Sequence, residues 1–211
     1  MPAPRRTPTL RLAAWATALA AFVLSAAGWP ETPVWAQEVY DEDSVKAAFL
    51  YHFSTFVVWP EPNRTGRDFV IGVLGDDGIA TELEQYLPGH SIQGRPMRAR
   101  RLDSIDELGD EDVVFIGAGR NHVLNQDLEA IGDRPVLVVT DAEGALNKGS
   151  MINFRIVEQR VRFEISLPAA ERAGLVLSSR LLGAAMLVDT TTAIIDPPVD
   201  AVVSGGPATR R

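Results

Sequence analysis

The chain is expected to fold as a three-layer αβα domain of the α/β class, with a largely parallel sheet and an antiparallel hairpin at one edge. Three observations carry that expectation. The runs Phe69–Leu74, Val113–Ile116 and Val136–Val139 are continuously apolar, as strands covered on both faces are. Helical patterns alternate with them, which is the arrangement of parallel strands joined by crossover helices. Beyond Gly149 the pattern changes: Ile152–Val157 and Val161–Ile165 flank Glu158-Gln159-Arg160, and Val161, Phe163 and Ile165 alternate with Arg162 and Glu164. That is a hairpin with one wet face.

Residues 1–36 read as a signal peptide. Arg5, Arg6 and Arg11 make a basic start, Leu12–Ala27 is an Ala-rich apolar run short for a membrane span, and Val34-Trp35-Ala36 fits a cleavage site. An uncleaved anchor is the alternative. Thr-Pro-Thr after Arg5-Arg6 does not fit twin-arginine export. Removing this segment shifts the formal net charge from −8 to −10. An acidic surface argues against nucleic acid and anionic headgroups as partners. Cysteine is absent, so an exported, periplasmic domain spanning residues 37–196 must be held by its core. Pro-Pro, Gly-Gly and a doubly basic end mark 197–211 as a disordered tail.

Along the domain, Ser44–Pro60 predicts a helix with Val45, Ala48, Phe49, His52, Phe53, Phe56 and Val57 on its buried stripe, capped by Asp43 or Ser44 and stopped by Pro60. Trp59 is expected to plug the core beneath its exit, with a partner-facing position as the alternative. The strand Phe69–Leu74 leads through Gly75-Asp76-Asp77-Gly78 into a short helix with Ile79, Leu83 and Leu87 inward. A polar strand covers Pro96–Arg101, and Arg95, Arg98, Arg100 and Arg101 are expected on its exposed face as guards against edge pairing, or facing an acidic partner. Asp103–Leu108 gives a helical turn or two, Arg120–Ile131 a helix, and Pro168–Ala173 and Ser178–Val188 close the domain as helices.

Ligands of open parallel sheets sit outside the carboxyl ends of strands, where connections reverse. The candidate ligand-binding residues are therefore Asp76, Asp77, Gly117, Gly119, Arg120 and Asp141, with glycine-bearing helix starts offering free N–H groups to an anion. The competing reading is ordinary tight turns with capping aspartates. A phosphoacceptor site lacks an aspartate at Gly117, and Gly72-Val-Leu-Gly75-Asp-Asp-Gly78 lacks dinucleotide spacing. His52, His90 and His122 show no paired ligand spacing, and no nucleophile elbow occurs. The residues point to no catalytic site, no metal and no cofactor.

Several landmarks together resemble the YfiR-like family of periplasmic regulatory proteins. They are Val45-Lys46-Ala-Ala-Phe49-Leu-Tyr51 with Trp59-Pro60, Ile71-Gly-Val-Leu-Gly75-Asp76, Val114-Phe-Ile116, and Pro135-Val-Leu137 with Thr140-Asp141. Gly149-Ser-Met-Ile-Asn-Phe154, Phe163-Glu164-Ile165 and Ser178-Ser-Arg-Leu-Leu182 complete them. The resemblance implies a non-enzymatic repressor that binds the exported part of a membrane-bound diguanylate cyclase, or another sensor protein, and limits cyclic-di-GMP and biofilm formation. An outer-membrane lipoprotein would relieve that repression, and a homodimer is left open. Members often carry cysteines, one of them near the start of the strand equivalent to Val113–Ile116, where Asp112 and Val113 stand here, so disulfide-based control is not expected. The expected contact residues are Phe154, Leu181, Leu182 and Met186, although their apolar character equally fits a core. A small-ligand module for nucleotides or amino acids at the strand-end loops is the alternative.

Overall fold

The computed structural model describes residues 41–60 and 66–191. The signal peptide expected at 1–36, the tail at 197–211 and most of the connector at 61–67 lie outside the described residues. Helix α1 (Glu42–Thr55) leads into the short strand β1 (Val57–Val58), then β2 (Phe69–Leu74), α2 (Asp77–Tyr86), β3 (Ser91–Ile92) and β4 (Arg95–Leu102). Next come β5 (Val113–Ile116), α3 (Leu124–Ile131), β6 (Leu137–Thr140), β7 (Ile152–Val157) and β8 (Arg160–Ser166). Helix α4 (Leu167–Arg172), β9 (Val176–Leu177), α5 (Ser179–Ala184) and β10 (Leu187–Asp189) finish the described chain.

The main sheet has the order β10-β8-β7-β6-β5-β2-β4-β3, and β1 pairs separately with β9. The pairs β4–β2–β5–β6–β7 are parallel, whereas β7–β8 and β3–β4 are antiparallel. The mixed α/β architecture with its mostly parallel centre is therefore the one expected. From β2 the chain crosses through α2 to β4 on one side, whereas β5 crosses through α3 to β6 on the other. Right-handed crossovers in opposite directions place α2 and α3 on opposite faces. The β2–β5 boundary is the topological switch point.

The strands read as doubly covered are so: β2, β5 and β6 are buried at every position. Two departures have local causes. The expected terminal helix over Ser178–Val188 stops at Ala184, and Leu187–Asp189 instead form β10 against β8 in parallel. A ladder along an open sheet edge overrides the helix propensity of Ala-Ala-Met-Leu. Helix α1 starts two or three residues earlier than expected and ends at Thr55, so Val57 and Val58 become a strand.

The buried face of α1 also differs from the expected stripe. Lys46, Ala47, Leu50, Phe53 and Ser54 are buried, whereas His52 is exposed. Two polar residues turn inward because each finds a partner there: Ser54 Oγ donates to the Leu50 carbonyl (2.9 Å), and Lys46 reaches the carboxylate of Asp141, just past the end of β6. Phe49 and Phe53 pack against Phe154 and Phe163, with ring centroids 4.9 to 6.1 Å apart, tying α1 to the β7–β8 hairpin.

The four arginines of β4 are not a free basic patch. Arg95 is buried and forks onto the fully buried Asp112, Nη1 to Oδ1 at 3.0 Å and Nη2 to Oδ2 at 2.6 Å. Arg98 pairs with Asp68, Arg100 with Glu111, and Arg101 with Asp77 and Glu84. Each guanidinium is neutralised within the chain, and β3 covers β4 only at Arg95 and Pro96, so Arg98, Arg100 and Arg101 lie on a stretch of β4 that no other described strand pairs on its outer side. Trp59 donates from Nε1 to the Asp112 carbonyl (3.2 Å) and meets Phe69 edge-on, closing the core beneath the α1 exit.

Candidate functional site

The turn after β2 and the turn after β5 meet at the switch point. Asp76 Oδ1 accepts from the Ile79 N–H (3.0 Å) and caps α2. Gly75 sits at φ +76°, in the region that favours glycine. The second turn presses against the first. A Cβ added to Gly119 would lie 2.7 Å from the Gly75 carbonyl oxygen, and one added to Gly117 would lie 2.6 Å from Asp76 Cβ. These glycines let two backbones touch, so the crevice at the switch point is closed by its own turns. Gly119→Ala is expected to destabilise by about 1–3 kcal/mol through forced backbone separation, read by urea unfolding. An unchanged midpoint would contradict the close packing.

A depression of about 360 Å³ remains beside these turns, lined by Asp76, Asp77, Arg101 and Arg120 among others. Its arginines are committed. Arg120 forks onto Asp127 at 2.9 and 2.7 Å, which lifts its pKa further above the ordinary value, and Arg101 holds Asp77 and Glu84. Asp77 itself is fully solvated on the rim.

On the far side of β5 a larger cleft of about 430 Å³ opens at the carboxyl ends of β5, β6 and β7. Glu42 and Lys46 of α1 form one wall, Asp141 and Glu143 the floor and lip, and Arg155 and Ile156 the other wall. Lys46 Nζ bridges Asp141 Oδ2 at 2.9 Å and Glu42 Oε1 at 2.7 Å, with only 6% of its side chain exposed. Burial opposes the ammonium, but hydrogen bonds to Glu42 and Asp141 outweigh it and raise the Lys46 pKa. Burial raises the Asp141 pKa against the lowering influence of Lys46. Asp141 Oδ2 is satisfied, whereas the buried Oδ1 has no hydrogen-bond partner among the described residues.

Buried hydrogen bonds set the position of Asp141. Thr140 Oγ1 contacts Ser150 Oγ (2.9 Å) and donates to Asn153 Oδ1 (2.7 Å), and Asn153 Oδ1 also accepts from the Ala142 N–H (3.0 Å). Asn153 Nδ2 donates in turn to Glu164 (2.8 Å). The network clamps the backbone on both sides of Asp141 onto β7 and β8.

Of the six expected ligand residues, Asp76, Asp77, Gly117, Gly119 and Arg120 gather at the switch point, and Asp141 belongs to the neighbouring cleft. Of the expected contact residues, Phe154 and Leu181 lie in the core at 3% exposure each, where the aromatic cluster and α5 need them. Leu182 is half-buried and Met186 is exposed. Lys46, Glu42 and Arg155 escaped the sequence reading. The one available signal was a lysine amid the apolar residues of α1. His52 and His90, distant in sequence, both touch Tyr51.

Two solved structures resemble the chain at low identity. One is a conserved domain protein from Vibrio cholerae (10% identity, TM-score 0.49, 70% of this chain and 60% of that one). The other is the ABC domain from Streptococcus pneumonia in complex with L-Trp (10% identity, TM-score 0.46, 69% and 60%). The chain thus spans about 60% of the length of each. No curated protein matches. The model of the YfiR/HmsC-like family matches residues 43–186, from the first turn of α1 to the threshold of β10. With helices, sheet and both strand-end turns inside that span, the chain belongs to the YfiR/HmsC-like family.

Proposed function

We propose that this chain is an exported, non-enzymatic regulator that binds the periplasmic part of a membrane diguanylate cyclase and holds it inactive, limiting cyclic-di-GMP. The family match across residues 43–186 carries this reading. Repression by binding needs differential affinity alone: a preference of about 5.5 kcal/mol for the inactive receptor moves a switch from nearly all on to nearly all off. The surface offers apolar side chains for such docking. Ile156, Met186 and Leu187 are each about half exposed (51%, 52% and 51%), and the register of β7, β8 and β10 sets Met186 beside Phe163. An outer-membrane partner competing for the regulator would relieve repression.

Deleting the gene is expected to raise cellular cyclic-di-GMP several-fold and increase biofilm. The complete chain should restore the level, and a version lacking residues 1–36 should not. Cyclic-di-GMP that stays constant on deletion contradicts the proposal.

A further inference from the structure

We infer that the tip of the β7–β8 hairpin accepts an added strand from a protein partner, one whose side chains alternate between carboxylates and apolar groups. This rests on the regulatory reading above and names the chemistry of one contact. The first support is unbalanced charge. Arg155 and Arg162 stand directly opposite each other in the antiparallel ladder, and Arg160, two residues along β8, shares their face. Like charges directly across a ladder cost stability. None of these three guanidiniums has a hydrogen bond or ion pair among the described residues, whereas the four arginines of β4 and Arg120 all hold carboxylates. Glu164, the one carboxylate that the two strands place on this face, accepts from Asn153 Nδ2 instead (2.8 Å).

The opposite face of the same tip is apolar. Ile156 and Val161 are paired there, and Ile156 is half exposed. The edge between the two faces is open. Strand β10 pairs with β8 only from Glu164 onward, and the Met186 N–H takes the Phe163 carbonyl (2.9 Å). Residues Arg160–Arg162 therefore have no strand on their outer side among the described residues.

A strand laid on that edge sends alternate side chains to the two faces. Carboxylates on one face meet the arginine forks, and apolar groups on the other meet Ile156 and Val161. The same features select the occupant. A second copy of this edge would set arginine against arginine, and a long polyanion would be repelled by a molecule whose formal net charge is −8. A short segment of alternating character meets only the arginines.

The test titrates a fluorescently labelled, acetylated and amidated peptide of alternating glutamate and valine with the purified protein. Binding is expected, weakening as salt rises. Arg162→Glu should weaken it about tenfold or more, whereas Arg98→Glu, the same change of charge toward the other end of the sheet, alters it less than about twofold. Arg162→Glu also turns a repulsive pair into an attractive one, so its melting temperature should hold or rise. A fall would contradict the unbalanced charge on which the inference stands. Absence of binding, equal loss in both variants, or equal binding of a peptide with its glutamates and valines in separate blocks overturns the assignment. A dimer of the protein alone that Arg162→Glu dissociates would give the edge to a second copy and overturn it too. None of these results touches the cyclic-di-GMP measurement, so the two readings fail separately.

Discussion

Arg95→Met is expected to lower the unfolding free energy by about 3–5 kcal/mol, the loss typical of stranding one member of a buried ion pair. The geometry explains the size. Asp112 is fully buried, and both its oxygens accept from the Arg95 fork. The same guanidinium donates to the Arg67 carbonyl (3.0 Å) and the Asp68 carbonyl (2.7 Å) and lies over the Phe69 ring at 5.1 Å. Asp112 Oδ2 also accepts from the Val70 N–H at 3.0 Å. One side chain thus ties the amino ends of β2, β4 and β5 together. Methionine conserves much of the volume and removes the fork, so the cost is electrostatic more than steric.

The companion substitution Asp112→Asn keeps an acceptor for Val70 and removes the stranded charge. The double variant is therefore expected to regain a large part of the loss, and chemical unfolding of the four proteins would measure the coupling. Additive losses would show that the pair contributes nothing beyond its separate packing.

The sequence disclosed the frame of the fold better than the roles of its charges. Strands β2, β5 and β6 announced themselves because a strand covered on both faces has no polar position to blur it. The helix α2 was readable from Ile79, Leu83 and Leu87 because one face meets the sheet and the other meets water. Arg95 was not readable. Its partner stands 17 residues away, just before a strand that is not its neighbour in the sheet, and an arginine in an alternating run looks solvated until that partner is known. Lys46 failed in the same way, with Asp141 95 residues distant. The stripe on α1 was misplaced for a related reason: three- and four-residue spacing puts His52 in line with Phe49 and Phe56, hydrophobicity ranks Val45 above Lys46 and Ser54, and only tertiary pairing brings Lys46 and Ser54 inward. The carboxyl-edge turns were found because glycine and aspartate at strand ends mark reversal of the chain. Whether such glycines cradle a ligand or let two backbones touch depends on what lies opposite, and Gly75 lies opposite Gly119.

Lys46→Met carries the second large expectation, a loss of about 3–5 kcal/mol near neutral pH from leaving Asp141 buried without its cation. Its pH dependence separates charge from packing. The Lys46 pKa is raised above its ordinary 10.5, so the contribution of the lysine is complete below that value and disappears only as pH rises through the folded value. The Asp141 pKa is raised above its ordinary 3.8, chiefly by burial, so the stability linked to its proton is complete below 3.8 and is lost as pH rises through the folded value. Removing Lys46 takes away the influence that lowers Asp141 and pushes the carboxyl higher still. The deficit of the variant should therefore be widest at about pH 7.5 and narrow toward about pH 4.5 as the buried carboxyl takes up a proton. Adding Asp141→Asn should recover most of the stability and flatten the profile, because a neutral amide has no proton to exchange. Urea unfolding across that pH range is the measurement. A deficit of constant size from neutral to acid would assign the loss to the methylenes of Lys46 packed under α1, and the ion pair would then have no part in anchoring that helix to β6.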